Sequence, residues 1–82
     1  MTTFDVALVR EQGVEFAVLS VRDSVLDNRS EAEKLIAQGY MMFRRPTVLM
    51  GSHHHRLLGR ADIVRFLGHV DPSQLPWRHA TM

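Results

Sequence analysis

The sequence predicts an α+β domain of order ββαββα, with a mainly antiparallel four-stranded sheet and helices packed mostly on one face. Three observations carry this. Residues Phe4–Arg22 hold two runs rich in β-branched and aromatic residues around a short polar segment containing Gly13, the pattern of a β-hairpin. Residues 31–43 repeat apolar side chains at helical spacing. A hairpin-then-helix order returns over residues 47–67, and such runs are those of an α+β fold.

The hairpin comes first. Phe4, Val6 and Leu8 share one face of its first strand, and Asp5, Ala7 and Val9 the other. In the second strand Phe16, Val18 and Ser20 alternate with Ala17, Leu19 and Val21. Neither face is cleanly polar, so both need cover. Two helices of ~13 and ~8 residues, roughly 20 and 12 Å long, cover one face of a four-stranded sheet. The other face is then expected to meet a second copy, by a two-fold pairing that satisfies the same patch on both chains. The smaller set Ala7, Val9, Ala17, Leu19 and Val21 suits such sheet-to-sheet contact. Helices straddling the sheet are the alternative.

The polar connection Asp23–Arg29 follows, with Val25 and Leu26 against the core edge and Asp27-Asn28 as turn chemistry. Ser30-Glu31-Ala32-Glu33 matches a capping box. A helix is expected from Glu31 to about Phe43, with Ala32, Leu35, Ile36, Gly39, Tyr40 and Phe43 on its inner face. Gly39 costs ~1 kcal/mol against alanine inside a helix. It is kept there because it faces the sheet and permits close packing; a helix ending at Gly39 is the alternative. Arg44-Arg45-Pro46 ends the helix. Thr47–Met50 reads as a short strand buried on both faces, Gly51–Arg56 as a turn, and Arg56–Gly59 as a partner strand. Arg60–Leu67 has helical spacing and Gly68 as a stop. Asp71-Pro72 opens a single helical turn, and Leu75–Arg78 is an extended tail whose Trp77 docks on the body.

Eighty-two residues suit one domain spanning 1–82, whose small core makes self-association useful. The chain has no cysteine, which removes disulfides, thiolate metal sites and thiol redox chemistry together. Met1–Asp5 lacks the basic and apolar regions of a signal peptide, and no apolar run nears the ~20 residues of a membrane span. A cytoplasmic soluble protein is expected. The net charge is +1 but uneven. Up to Phe43, four basic residues face seven acids; from Arg44 onward, six arginines face Asp62 and Asp71, and all five histidines lie there.

Pro46-Thr47-Val48-Leu49-Met50, followed by a hairpin, a glycine and a helix, resembles the C-terminal half of thioredoxin-like folds over about the last third of the chain. The Cys-x-x-Cys of that family is absent, so the resemblance implies local shape and no redox activity. Gly59–Leu67 with Leu75-Pro76-Trp77-Arg78 is similar to small uncharacterised bacterial proteins, which implies bacterial origin and no assigned activity.

Two stretches offer chemistry. His53, His54 and His55 are candidate metal ligands, since imidazole binds metal at neutral pH; a zinc ion would need further ligands. Arg44, Arg45, Arg56, Arg60 and Arg65 are candidate anion or nucleic-acid ligands, with only Tyr40 and Trp77 available to stack on bases. No catalytic motif is present: there is no phosphate loop, nucleophile elbow or His-Glu-x-x-His. Neither an enzymatic activity nor a cofactor is expected. The leading expectation is a non-catalytic module that associates with itself as a homodimer. Nucleic-acid or phosphate binding, and metal binding at the histidine turn, are the alternatives.

Overall fold

A computed structural model describes residues 3–11 and 13–81. Gln12, expected in the hairpin turn, and Met1, Thr2 and Met82 lie outside the described residues. The elements are β1 (Thr3–Glu11), β2 (Val14–Val21), α1 (Asp23–Leu26), α2 (Arg29–Phe43), β3 (Thr47–Gly51), β4 (Leu57–Leu58), α3 (Ala61–Leu67), a 3-10 turn (Pro72–Gln74) and β5 (Trp77–Thr81). The α+β class stands, but the sheet is mixed and has five strands, in the order β4-β3-β2-β1-β5. Among the described residues only the β2–β3 pairing is parallel.

That pairing has a physical cause. β2 and β3 are joined through α1 and α2, and parallel neighbours need such a helical crossover. The fifth strand is the tail, which runs on past Arg78 and pairs with β1, placing Trp77 beside Ala7 and Thr81 beside Thr3.

The helices straddle the sheet, correcting the expectation that they share one face. β4 lies at one edge and β5 at the other, so the chain between them must cross the whole sheet. The α1–α2 crossover already occupies one face, which leaves the opposite face to α3 and the 3-10 turn. Two cores result. Under α2, Val6, Ala17, Leu19, Val21 and Leu49 pack with Ala32, Leu35 and Ile36. Under α3, Ala7, Phe16, Val18, Val48 and Met50 pack with Ile63, Leu67 and Leu75. The Phe16 and Phe66 rings meet edge to face, with centroids 6.1 Å apart.

The proposed interface set divides between these cores. Ala7 pairs with Val18 and Val9 with Phe16, so Ala7 and Val9 lie on the face opposite Ala17, Leu19 and Val21. Ala7, Ala17 and Leu19 are fully buried by the chain's own helices. Val21 is buried with them, and Val9 is partly buried.

The helix starts earlier than the capping box indicated. Asn28 is the N-cap, its side chain accepting from the Glu31 amide at 3.2 Å. Ser30 lies inside the helix, and Glu33 faces Arg29 at 3.4 Å. The helix runs to Phe43 with Gly39 inside it, as expected. It ends because Arg44 takes a left-handed conformation (φ 58) and its amide bonds the Tyr40 carbonyl.

Trp77 does dock on the body. Its indole Nε1 donates to the Pro72 carbonyl at 2.7 Å, and the turn holding that carbonyl is capped by Asp71. The Asp71 carboxylate accepts from the Ser73 amide and hydroxyl at 3.0 and 2.9 Å. The Ser73 amide first, then its hydroxyl, holds the Asp71 carboxyl below its ordinary range. A depressed carboxyl contributes stability above its unfolded-state pKa and loses it as pH falls through the folded one. Trp77, the lone tryptophan, is therefore expected to keep its emission from neutral to mildly acidic pH and to shift red only in stronger acid. Asp71→Ala should shift it already at pH 7. A fluorescence titration of both proteins checks this.

Candidate functional site

The structure separates the candidate arginines. Arg44 and Arg45 lie just before β3 and Arg56 lies beyond its far end, while Arg65 is on α3, across the sheet from α2. Three of the five already face carboxylates: Arg45 with Glu15 at 3.6 Å, Arg56 with Asp27 at 2.9 Å and Arg60 with Asp62 at 2.8 Å. Arg45 also donates through Nε to the Phe43 carbonyl. No common phosphate-binding cradle is assembled from them.

The histidines sit on the β3–β4 turn and are exposed. The turn closes by bonds from the Gly51 amide to the Arg56 carbonyl at 2.8 Å and from the His55 amide to the Gly51 carbonyl at 3.0 Å. His55 takes φ 54, one of the left-handed positions histidine tolerates better than most residues. That reversal parts it from its neighbours. His54 Nε2 stands 3.7 Å from Asp23, whereas His55 lines a groove with Asp71. Among the described residues, no three of His, Asp or Glu stand close enough to hold one ion.

A third feature is more prominent, and sequence reasoning assigned it only in part. The helical stripe Ala32, Leu35, Ile36, Gly39 and Phe43 turns inward as expected. Tyr40, expected with it, is 59% exposed, and Met41 next to it is 75% exposed. One residue advances a helix by about 100°, so a buried Gly39 places Tyr40 past the sheet edge. Gly39 itself acts as a spacer, because a Cβ there would meet the Thr47 side chain at 2.6 Å.

Beside Tyr40 and Met41, a mostly apolar groove of about 440 Å³ runs along α2. Ile36, Ala37, Pro46 and Thr47 line it, with Glu33 and Arg60 on its rim. Leu58, also exposed, continues the apolar surface at the β4 edge. The sequence signal was available: the run Tyr40-Met41-Met42 is too long for one helix face to bury.

The fold and this surface define a small α+β domain with an open apolar helix face. No family model, curated protein or solved structure matches the chain. No helix among the described residues is long and apolar enough to cross a membrane.

Proposed function

We propose that this protein is a non-catalytic interaction module that pairs with a second copy through the outer face of α2. The observation that carries the reading is the exposed pair Tyr40 and Met41 lining a groove in so small a domain. Large apolar side chains grouped at one surface mark association sites, and methionine adapts readily to a partner. The rim supports a second copy as the occupant. It carries an acid, Glu33, and a base, Arg60, so a two-fold pairing sets Glu33 against Arg60 of the partner subunit and repeats the contact in reverse. Both groups are exposed and only locally paired, with Arg29 and Asp62, so the exchange is inexpensive.

The test is Met41→Asp. Burying a methionine stabilises by about 1.5–3 kcal/mol, and a two-fold contact counts it twice, so association should weaken by ~100-fold or more. Sedimentation from micromolar concentration upward should show a dimer for the parent chain and a monomer for the variant, with the same circular dichroism. A parent chain that stays monomeric, or a variant that keeps the parent's mass, overturns the proposal.

A further inference from the structure

β2 and β3 end side by side, at Val21 and Gly51. The chain leaves them in different directions, into α1 and into the histidine turn. Crevices beyond the carboxyl ends of parallel strands are where open α/β sheets hold ligands. Here, on the α3 side, the crevice is a groove of about 330 Å³. Ser20 and Met50 floor it, Ser52 and His55 form one wall, and Asp71 and Trp77 form the other.

Ser20 is the first sign that the groove is more than a gap between loops. Along β2 the residues facing α3 are Phe16, Val18 and then Ser20. The last of these positions exchanges an apolar side chain for a half-buried hydroxyl. A valine there would extend the core. The walls are the second sign, since each is fixed by its own bonds. The Ser52 amide donates to the Val21 carbonyl at 2.8 Å, and the opposite wall is held by the Asp71–Ser73 cap and the Trp77–Pro72 bond. A groove with walls already set needs little ordering on binding.

Its chemistry narrows the ligand. Asp71 commits one oxygen, Oδ1, to Ser73 and leaves the other as an acceptor. No lysine or arginine lines the groove, and an anion there would meet the Asp71 carboxylate. A purely apolar molecule would strand the hydroxyls, the carboxylate and the imidazole without partners. We propose that this groove binds a small neutral polyhydroxylated molecule, a sugar or polyol. Its hydroxyls donate to Asp71 and exchange hydrogen bonds with Ser20 and Ser52, and its carbon skeleton packs against Trp77.

The experiment is a titration of the ¹⁵N-labelled protein with glucose, ribose, myo-inositol and glycerol, and separately with ethanolamine. The expected result is saturable shifts of the Trp77 indole and the Ser52 and Ser73 amides. A dissociation constant of about 1–10 mM for the best polyol suits a ligand of a dozen heavy atoms. Ser20→Val, which removes the hydroxyl, and Asp71→Asn, which keeps an acceptor for the Ser73 amide, should each weaken binding by ~10-fold with the free spectrum otherwise retained. Three results overturn the proposal: no saturable shift with any polyol, tighter binding of ethanolamine than of every polyol, or undiminished binding by both variants.

Discussion

Leu19→Asp is expected to leave the chain unfolded rather than merely dissociated. Leu19 is fully buried; it pairs with Val6 on one side and Leu49 on the other, beneath α2. No cation is available in that core, so an aspartate there is either charged and unpaired or held neutral at the expense of a large pKa shift. The penalty is several kcal/mol, against a total stability of about 4–12 kcal/mol for a domain of this length. Leu19→Ala, which only removes packing, should cost about 2–5 kcal/mol and remain measurable by urea denaturation. Far-ultraviolet circular dichroism distinguishes the outcomes. A native spectrum for Leu19→Asp, with only the mass changed, would show that this face of the sheet is open and would restore Leu19 as an interface residue.

Gly39→Ala is expected to destabilise the protein, against the direction that helix propensity alone gives. Alanine favours a helix interior over glycine by about 1 kcal/mol. The new methyl would stand 2.6 Å from Thr47 Cγ2 and 2.9 Å from its Cβ. Thr47 cannot turn aside easily, since it is β-branched, buried on β3 between two neighbouring strands and bonded through its hydroxyl to the Arg45 carbonyl. Overpacking of this kind costs about 1–3 kcal/mol. It exceeds the propensity gain, because relief requires lifting α2 from the sheet and loosening Leu35 and Ile36 with it. A net loss of up to about 2 kcal/mol would lower the melting temperature by as much as roughly 8–16 °C. A melting temperature at or above the parent's would mean that α2 does not rest on Thr47.

What was legible in the chain follows the strength of each local signal. The hairpin, the inner stripe of α2 and the buried strand at Thr47 all declare themselves through periodicity. β5 does not: of its residues only Trp77 and Ala80 turn inward, and it is held by backbone pairing to β1, which leaves no side-chain pattern. The pairing of the hairpin faces was within reach. Glu11 lies opposite Val14, so even-numbered residues of one strand pair with odd-numbered residues of the other. That parity puts Ala7 with Val18, and a one-residue error in turn length exchanges every face. The placement of the helices was not legible, because it depends on which edges β4 and β5 occupy. Of the candidate chemistry, the sequence singled out His53, His54 and His55 together as one turn. It could not show that His55 would part from His53 and His54 through a left-handed backbone, or that Ser20 and Asp71 would meet it.

The pairing of β5 with β1 has a kinetic consequence. Thr3 and Thr81, 78 positions apart, are cross-strand neighbours, and every other pairing in the sheet closes a shorter loop. Non-local contacts are slow to form, because loop closure must precede the contacts that reward it. A folding chain that closes the β1–β2 hairpin before β5 arrives is expected to leave the outer edge of β1 bare, with Phe4, Val6 and Leu8 beside unpaired backbone. Such an edge is a template for another nascent chain. Refolding yield should fall with protein concentration more steeply than native stability alone would suggest, and the last five residues of the sheet act as the seal against that loss.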